Sequence, residues 1–81
     1  MVQVTLWGSI KAAAGGAGQV EVEASNIRQL LDALRTAHPG LEDVIEKGVA
    51  VSVDGEIHQD AWFVPITPES EVFVLPHMEG G

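Results

Sequence analysis

Three histidines, four serines, twelve carboxylates and a glycine-rich run beside Lys11 are the groups in this sequence of 81 residues whose types suit chemistry. His38, His58 and His77 lie far apart, without the i, i+3 or i, i+4 spacing that builds a metal site on one element, and they read as solvent histidines. Asp54, Glu56, Asp60, Glu69, Glu71 and Glu79 hold enough carboxylate for an acid–base pair, but no second catalytic type stands beside them, so they read as a solvated rim. Ser9, Ser25, Ser52 and Ser70 lack the strand–turn–helix context of a nucleophilic serine. The run "AAAGGAG" has its lysine before the glycines, not after them, which is not the order of a phosphate-binding loop. With no cysteine, thiolate nucleophiles, disulfides and most structural zinc sites are excluded.

The side chains do not describe an enzyme, which moves attention to the main chain. The sequence closes on "LPHMEGG", a proline followed by a short tail tipped by Gly80 and Gly81. Glycine suits the tip of a tail that must enter a channel too narrow for a Cβ, because its backbone takes whatever φ and ψ the channel imposes. Residues Pro76, His77, Met78, Glu79, Gly80 and Gly81 reach about 20 Å when extended, enough to cross a partner's surface. The reactive group on this reading is the Gly81 carboxylate, a poor electrophile until a nucleotide-using partner activates it as an acyl-adenylate. The protein is then expected to be a carrier or substrate with no catalytic residues of its own, binding no cofactor or metal, with ATP used by the partner.

The elements that must hold such a tail follow from periodicity. Val2, Val4 and Leu6 alternate with Gln3, Thr5 and Trp7 in a first strand; Val20, Val22 and Ala24 alternate with Gln19, Glu21 and Glu23 in a second. Between them, Gly8 to Gly18 reads as a lax connection with one helical turn over Ile10 to Ala14. Asn26 is an N-cap with Gln29 three residues on, and Ile27, Leu30, Leu31 and Leu34 give an amphipathic helix to about Ala37, stopped by His38-Pro39-Gly40. Leu41, Val44 and Ile45 point to a further short turn. Val49 to Val53 is a third strand, ended by the Asp54-Gly55 turn, with Glu56-Ile57 as a short return. His58 to Ser70 reads as a surface connection in which Trp62 and Phe63 must find cover. Glu71 to Leu75 is the last strand, apolar on both faces, and Pro76 ends it.

Strand, strand, helix, strand, strand is the order of a β-grasp, or ubiquitin-like, α+β fold: a mixed sheet with one main helix across it. The expected division is a β-grasp domain over residues 1–75 and a flexible tail over 76–81. A formal net charge of -8 disfavours nucleic acid and anionic lipid as partners, and no apolar run is long enough to span a membrane, so a cytoplasmic protein is expected. Phe73 and Leu75 point away from Val72 and Val74, and with Trp7 they are expected to form an outer-face patch for docking. The competing expectation is that the Trp62-Phe63 loop folds over that patch.

The sequence resembles the ThiS/MoaD family of sulfur carriers, and more closely its molybdopterin-synthase small-subunit branch. The resemblance rests on the capped "NIRQLLDAL" helix, "HPGL", "VAVSVDGE" in place of a V-x-V-N-G-E strand, "PESEVFVLP" before the tail, and the closing "GG". It implies that Gly81 is adenylated by an E1-like enzyme of the MoeB/ThiF type and converted to a thiocarboxylate, with Gly80 and the rest of the tail threading into the partner. A sulfurtransferase is the implied sulfur donor, a molybdopterin synthase large subunit the implied partner in molybdenum cofactor biosynthesis. His77 and Glu79 depart from the family's P-P-x-x-G-G tail, Asp54 from its asparagine and Glu69 from its glycine. A thiazole-pathway carrier, a ubiquitin-like modifier and a plain interaction domain are the alternatives.

Overall fold

The computed structural model describes residues 1–59 and 61–76. The alternation at the start of the sequence becomes strand β1, Val2–Leu6, whose Val2, Val4 and Leu6 are buried. It pairs antiparallel with β2, Gln19–Val22, with Val4 opposite Val20. The connection between them is more ordered than its glycines imply, because it contains helix α1, Gly8–Ala13, which drives Ile10 fully into the core. Gly8 takes φ +57°, a left-handed value that costs glycine little and lets the helix start immediately after the strand.

Helix α2, Ile27–Ala37, has the bounds that its apolar period sets, and Ile27, Leu30, Leu31 and Leu34 are buried against the sheet. Each such side chain contributes about 1.5–3 kcal/mol relative to exposure. The Asn26 side chain accepts from the Gln29 amide at 2.8 Å, while Gln29 Oε1 accepts from the Ser25 amide at 2.8 Å, one residue before the N-cap. Past His38 the chain makes a 3-10 turn, Pro39–Leu41, and then helix α3, Glu42–Lys47. Leu41 is fully buried there. Gly40 passes so close to α1 that a Cβ on it would lie 2.5 Å from the Ala13 carbonyl oxygen.

Strand β3, Val49–Val53, turns through Asp54 (φ 52°) and Gly55 (φ 89°) into β4, Glu56–His58. Strand β5, Val72–Pro76, then enters between β1, to which it is parallel, and β3, to which it is antiparallel. The sheet order is β2-β1-β5-β3-β4, a mixed sheet whose one covered face carries the helices, as the element order predicts. Two details differ from the sequence reading. Glu71 lies outside the last strand, tied by its amide to Asp54 Oδ1 at 2.8 Å and by its carbonyl to the Asp54 amide at 2.9 Å. Pro76 is not beyond the strand but its last residue, opposite Val49.

Residues 61–70 correct a further expectation. Trp62 and Phe63 find no cover, being 47% and 72% exposed, and the half-buried Val64 and buried Ile66 do the packing instead. The Ile27 and Arg28 amides donate to the carbonyls of Val64 (3.2 Å) and Trp62 (2.8 Å), and the Ile66 amide donates to Ser25 (2.9 Å). This connection is laced to the start of α2 and uses amides that a helix N-terminus otherwise leaves unpaired.

Candidate functional site

The expected reactive group and most of its tail, His77, Met78, Glu79, Gly80 and Gly81, lie outside the described residues, as does Asp60. What the structure gives is the root of that tail. Pro76 closes the central strand: β5 is paired with β1 as far as Val74 and with β3 as far as Pro76, where the tail starts. A Cβ on Gly8 would lie 3.4 Å from Pro76 Cγ, which shows how closely the turn into α1 passes the proline. The Trp7 amide donates to the Val74 carbonyl at 3.2 Å, extending the β1–β5 ladder to the level of the root.

Around that root lies the open face of the sheet. The register sets Phe73 beside Thr5 on one side and Ser52 on the other, and Leu75 beside Ala50. Of the expected docking residues, Phe73 and Leu75 are half-buried on this face, and Trp7, one residue past β1 and 56% exposed, lines a groove with Thr5 and Gln19. Sequence reasoning missed a fourth. Ile57, opposite Ser52 on β4, is 61% exposed and extends the apolar strip toward the sheet edge. The Asp54-Gly55 turn was the available signal, since a two-residue hairpin fixes the register that places Ile57 there. Ala50 and Ser52 are buried although their register places them on this open face between β5 and β4.

The Trp62-Phe63 loop does not cover the patch. Its backbone is bonded to the first turn of α2, and Trp62 borders a groove with Arg28, Leu31 and Arg35 on the helix side of the sheet. Beside the root, Thr5, Trp7, Gly8, Lys11 and Gln19 line a shallow groove of about 560 Å³. His38 and His58 stay apart, and among the described residues no group of three or more His, Asp or Glu is placed to hold a metal ion. No described helix is long and apolar enough to cross a membrane.

A mixed five-stranded sheet whose central strand runs into a glycine-tipped tail is an arrangement that a family comparison can decide. Residues 4–81 match the ThiS family. The chain belongs to that family, whose members are ubiquitin-like sulfur carriers. Three solved structures share the fold. The crystal structure of SAMP1 from Haloferax volcanii is 25% identical, with a TM-score of 0.71, and the match covers 99% of this chain and 98% of that one. The solution structure of small archaeal modifier protein 1 from Methanosarcina acetivorans has a TM-score of 0.80 at 22% identity, covering 99% and 95%. A chain in the crystal structure of the Amycolatopsis orientalis BexX/CysO complex matches at 19% identity and a TM-score of 0.75, over 100% of both. No curated protein sequence matches significantly.

Proposed function

We propose that this ThiS-family protein carries sulfur as a thiocarboxylate on Gly81 and delivers it to molybdopterin synthesis. The observation that carries the reading is the root of the tail: a glycine-tipped segment leaves the central strand of a rigid sheet, beside an apolar strip, within a chain that matches the family through residue 81. On this account an E1-like enzyme of the MoeB/ThiF type docks on Trp7, Phe73 and Leu75 while the tail from Pro76 through His77, Met78 and Glu79 threads Gly80 and Gly81 into its active site.

The chemistry then runs through the main-chain carboxylate. A Gly81 carboxylate oxygen attacks the α-phosphorus of ATP bound to the partner, and pyrophosphate leaves. The acyl-adenylate carbonyl is next attacked by sulfur, and AMP leaves. Sulfide gives the thiocarboxylate directly; a persulfide on a sulfurtransferase gives an acyl disulfide, whose S–S bond a second thiol must reduce. The protein's own part is positioning, with the pairing of β5 to β1 and β3 fixing the strand from which the tail starts.

Two of the similar structures are archaeal modifier proteins, and this favours one second reading: the same activated Gly81 carbonyl is attacked by a lysine amine, forming an amide. The two readings share activation and differ in the nucleophile. The experiment is an intact mass of untagged protein incubated with ATP, a sulfur source and the E1-like enzyme of its host. A gain equal to sulfur minus oxygen, absent on deleting Gly81, is the carrier outcome. A gain only on lysines of other proteins is the modifier outcome. No change, with the enzyme active on its own substrate, contradicts both. Adding a molybdopterin synthase large subunit and its precursor to the sulfurated protein then separates molybdopterin synthesis, where sulfur is consumed, from the thiazole pathway, where it is not.

A further inference from the structure

The sheet is polarised in charge along its strands. Strands β1 and β5 run parallel toward the root of the tail, and four carboxylates stand at the end where the two strands begin. Glu23 follows Val22, which is opposite Val2; Glu56 is opposite Val53, which is opposite Val72; and Asp54 and Glu71 are hydrogen-bonded to each other. At the root end the groove beside Pro76 has one charged lining residue, Lys11, and no carboxylate. On a chain with twelve acidic and four basic residues, that is a local reversal of sign.

The fold holds Lys11 in place without neutralising it. Helix α1 is anchored by the fully buried Ile10, and the lysine stem runs along Gly18, its Cε and Nζ being 3.6 and 3.8 Å from where a Cβ on Gly18 would stand. Lys11 makes no ion pair among the described residues, and α1 contains no acidic residue, whereas Lys47 closes a helix that holds Glu42, Asp43 and Glu46. The Leu6 and Trp7 amides beside the groove already donate to the Gly18 and Val74 carbonyls, which leaves Lys11 as the cationic donor there. A single ammonium suits a single carboxylate, while phosphate sites gather several donors.

We propose that Lys11 pairs with an aspartate or glutamate of the activating enzyme, at the mouth of the channel that takes the tail, and so sets the direction in which that enzyme seats on the sheet. This contact presupposes the carrier reading, since it needs an enzyme docked on the strip. Thr5 lines the groove and stands beside Phe73, so groove and strip are continuous. An enzyme carboxylate near the beginning of β5 meets Asp54 and Glu71, where like charges repel; at the root it meets Lys11. Docking reversed along the strands is thereby disfavoured, and the orientation that remains brings the channel to Pro76. Lys11 is a positioning residue and takes no part in the chemistry at Gly81.

The test is steady-state adenylation of the full untagged chain by the E1-like enzyme of its host, read as pyrophosphate exchange at about 50 and 300 mM salt. Lys11→Glu is expected to lower kcat/KM about tenfold or more, through KM and with kcat unchanged. Lys11→Arg keeps the parent value, and Lys47→Glu changes it less than about twofold. The parent's kcat/KM falls as salt rises and that of Lys11→Gln falls less, because screening acts on a pair the variant lacks. Circular dichroism of Lys11→Glu matches the parent, since the side chain is exposed. Zero-length carbodiimide cross-linking joins Lys11 to an aspartate or glutamate of the enzyme, and the link is absent from Lys11→Arg. A normal KM for Lys11→Glu, an equal loss with Lys47→Glu, or cross-links from Lys47 alone overturns the pairing and leaves the carrier reading intact. A parent chain that is not adenylated at all removes the carrier reading and this contact with it.

Discussion

The two faces of β5 are made of the same kind of residue and meet different surroundings. Val72 and Val74 point into the core and are fully buried; Phe73 and Leu75 point the other way, remain half-buried and continue into Ile57 and Trp7. The core needs only the first pair. A central strand with an open apolar face costs solubility unless something covers it, and on the proposed account the activating enzyme does so. The lesson is that hydrophobicity alone does not separate core from interface; register does, by assigning each residue to a face.

This division is sharpest when read as stability, beginning with the largest effect. Leu34→Ala, in the covered layer, is expected to cost about 3 kcal/mol in urea unfolding, since it leaves a cavity where the helix meets the sheet. Gly40→Ala is expected to cost about 2 kcal/mol, because its methyl group meets the Ala13 carbonyl and one of two backbones must move. Asn26→Ala removes the bond to the Gln29 amide and is expected to cost about 1 kcal/mol, most of it recovered by Asn26→Ser. Phe73→Glu should change stability by less than about 1 kcal/mol and leave circular dichroism unaltered, while lowering adenylation by the E1-like enzyme about a hundredfold. If Phe73→Glu unfolded the protein as readily as Leu34→Ala, the two faces would not be distinct. If it folded and were activated normally, the docking role would be lost and the open face would need another occupant.

Much of the fold was legible because its elements carry strong local signals. Asn26, the apolar period of residues 27–34 and Pro39 bound α2 in the sequence as in the structure. The alternation of Val2 to Leu6 and the Asp54-Gly55 turn fix β1 and the β3–β4 hairpin in the same way. Helix α1 is only partly legible because alanine and glycine carry almost no periodic signal; Ile10 alone marks its buried side, and one residue defines no period. Trp62 and Phe63 lack the expected cover because a large apolar side chain is not thereby a buried one. Exposure of these rings follows from the backbone bonds between their loop and α2, which are non-local and leave no pattern in the sequence. At the candidate site, Trp7, Phe73 and Leu75 were readable from strand parity, but Ile57 required the register across β3, and the root at Pro76 required knowing that β5 is central.

The central claim is that the useful atom is the last carboxylate, and tandem mass spectrometry of the C-terminal peptide, taken from untagged protein after reaction with ATP, a sulfur source and the activating enzyme, tests it most directly. The account predicts one sulfur in place of one oxygen, located on Gly81, and none when Gly81 is deleted. Sulfur on any other residue, or an unmodified terminus after the enzyme has turned over its own substrate, would contradict it.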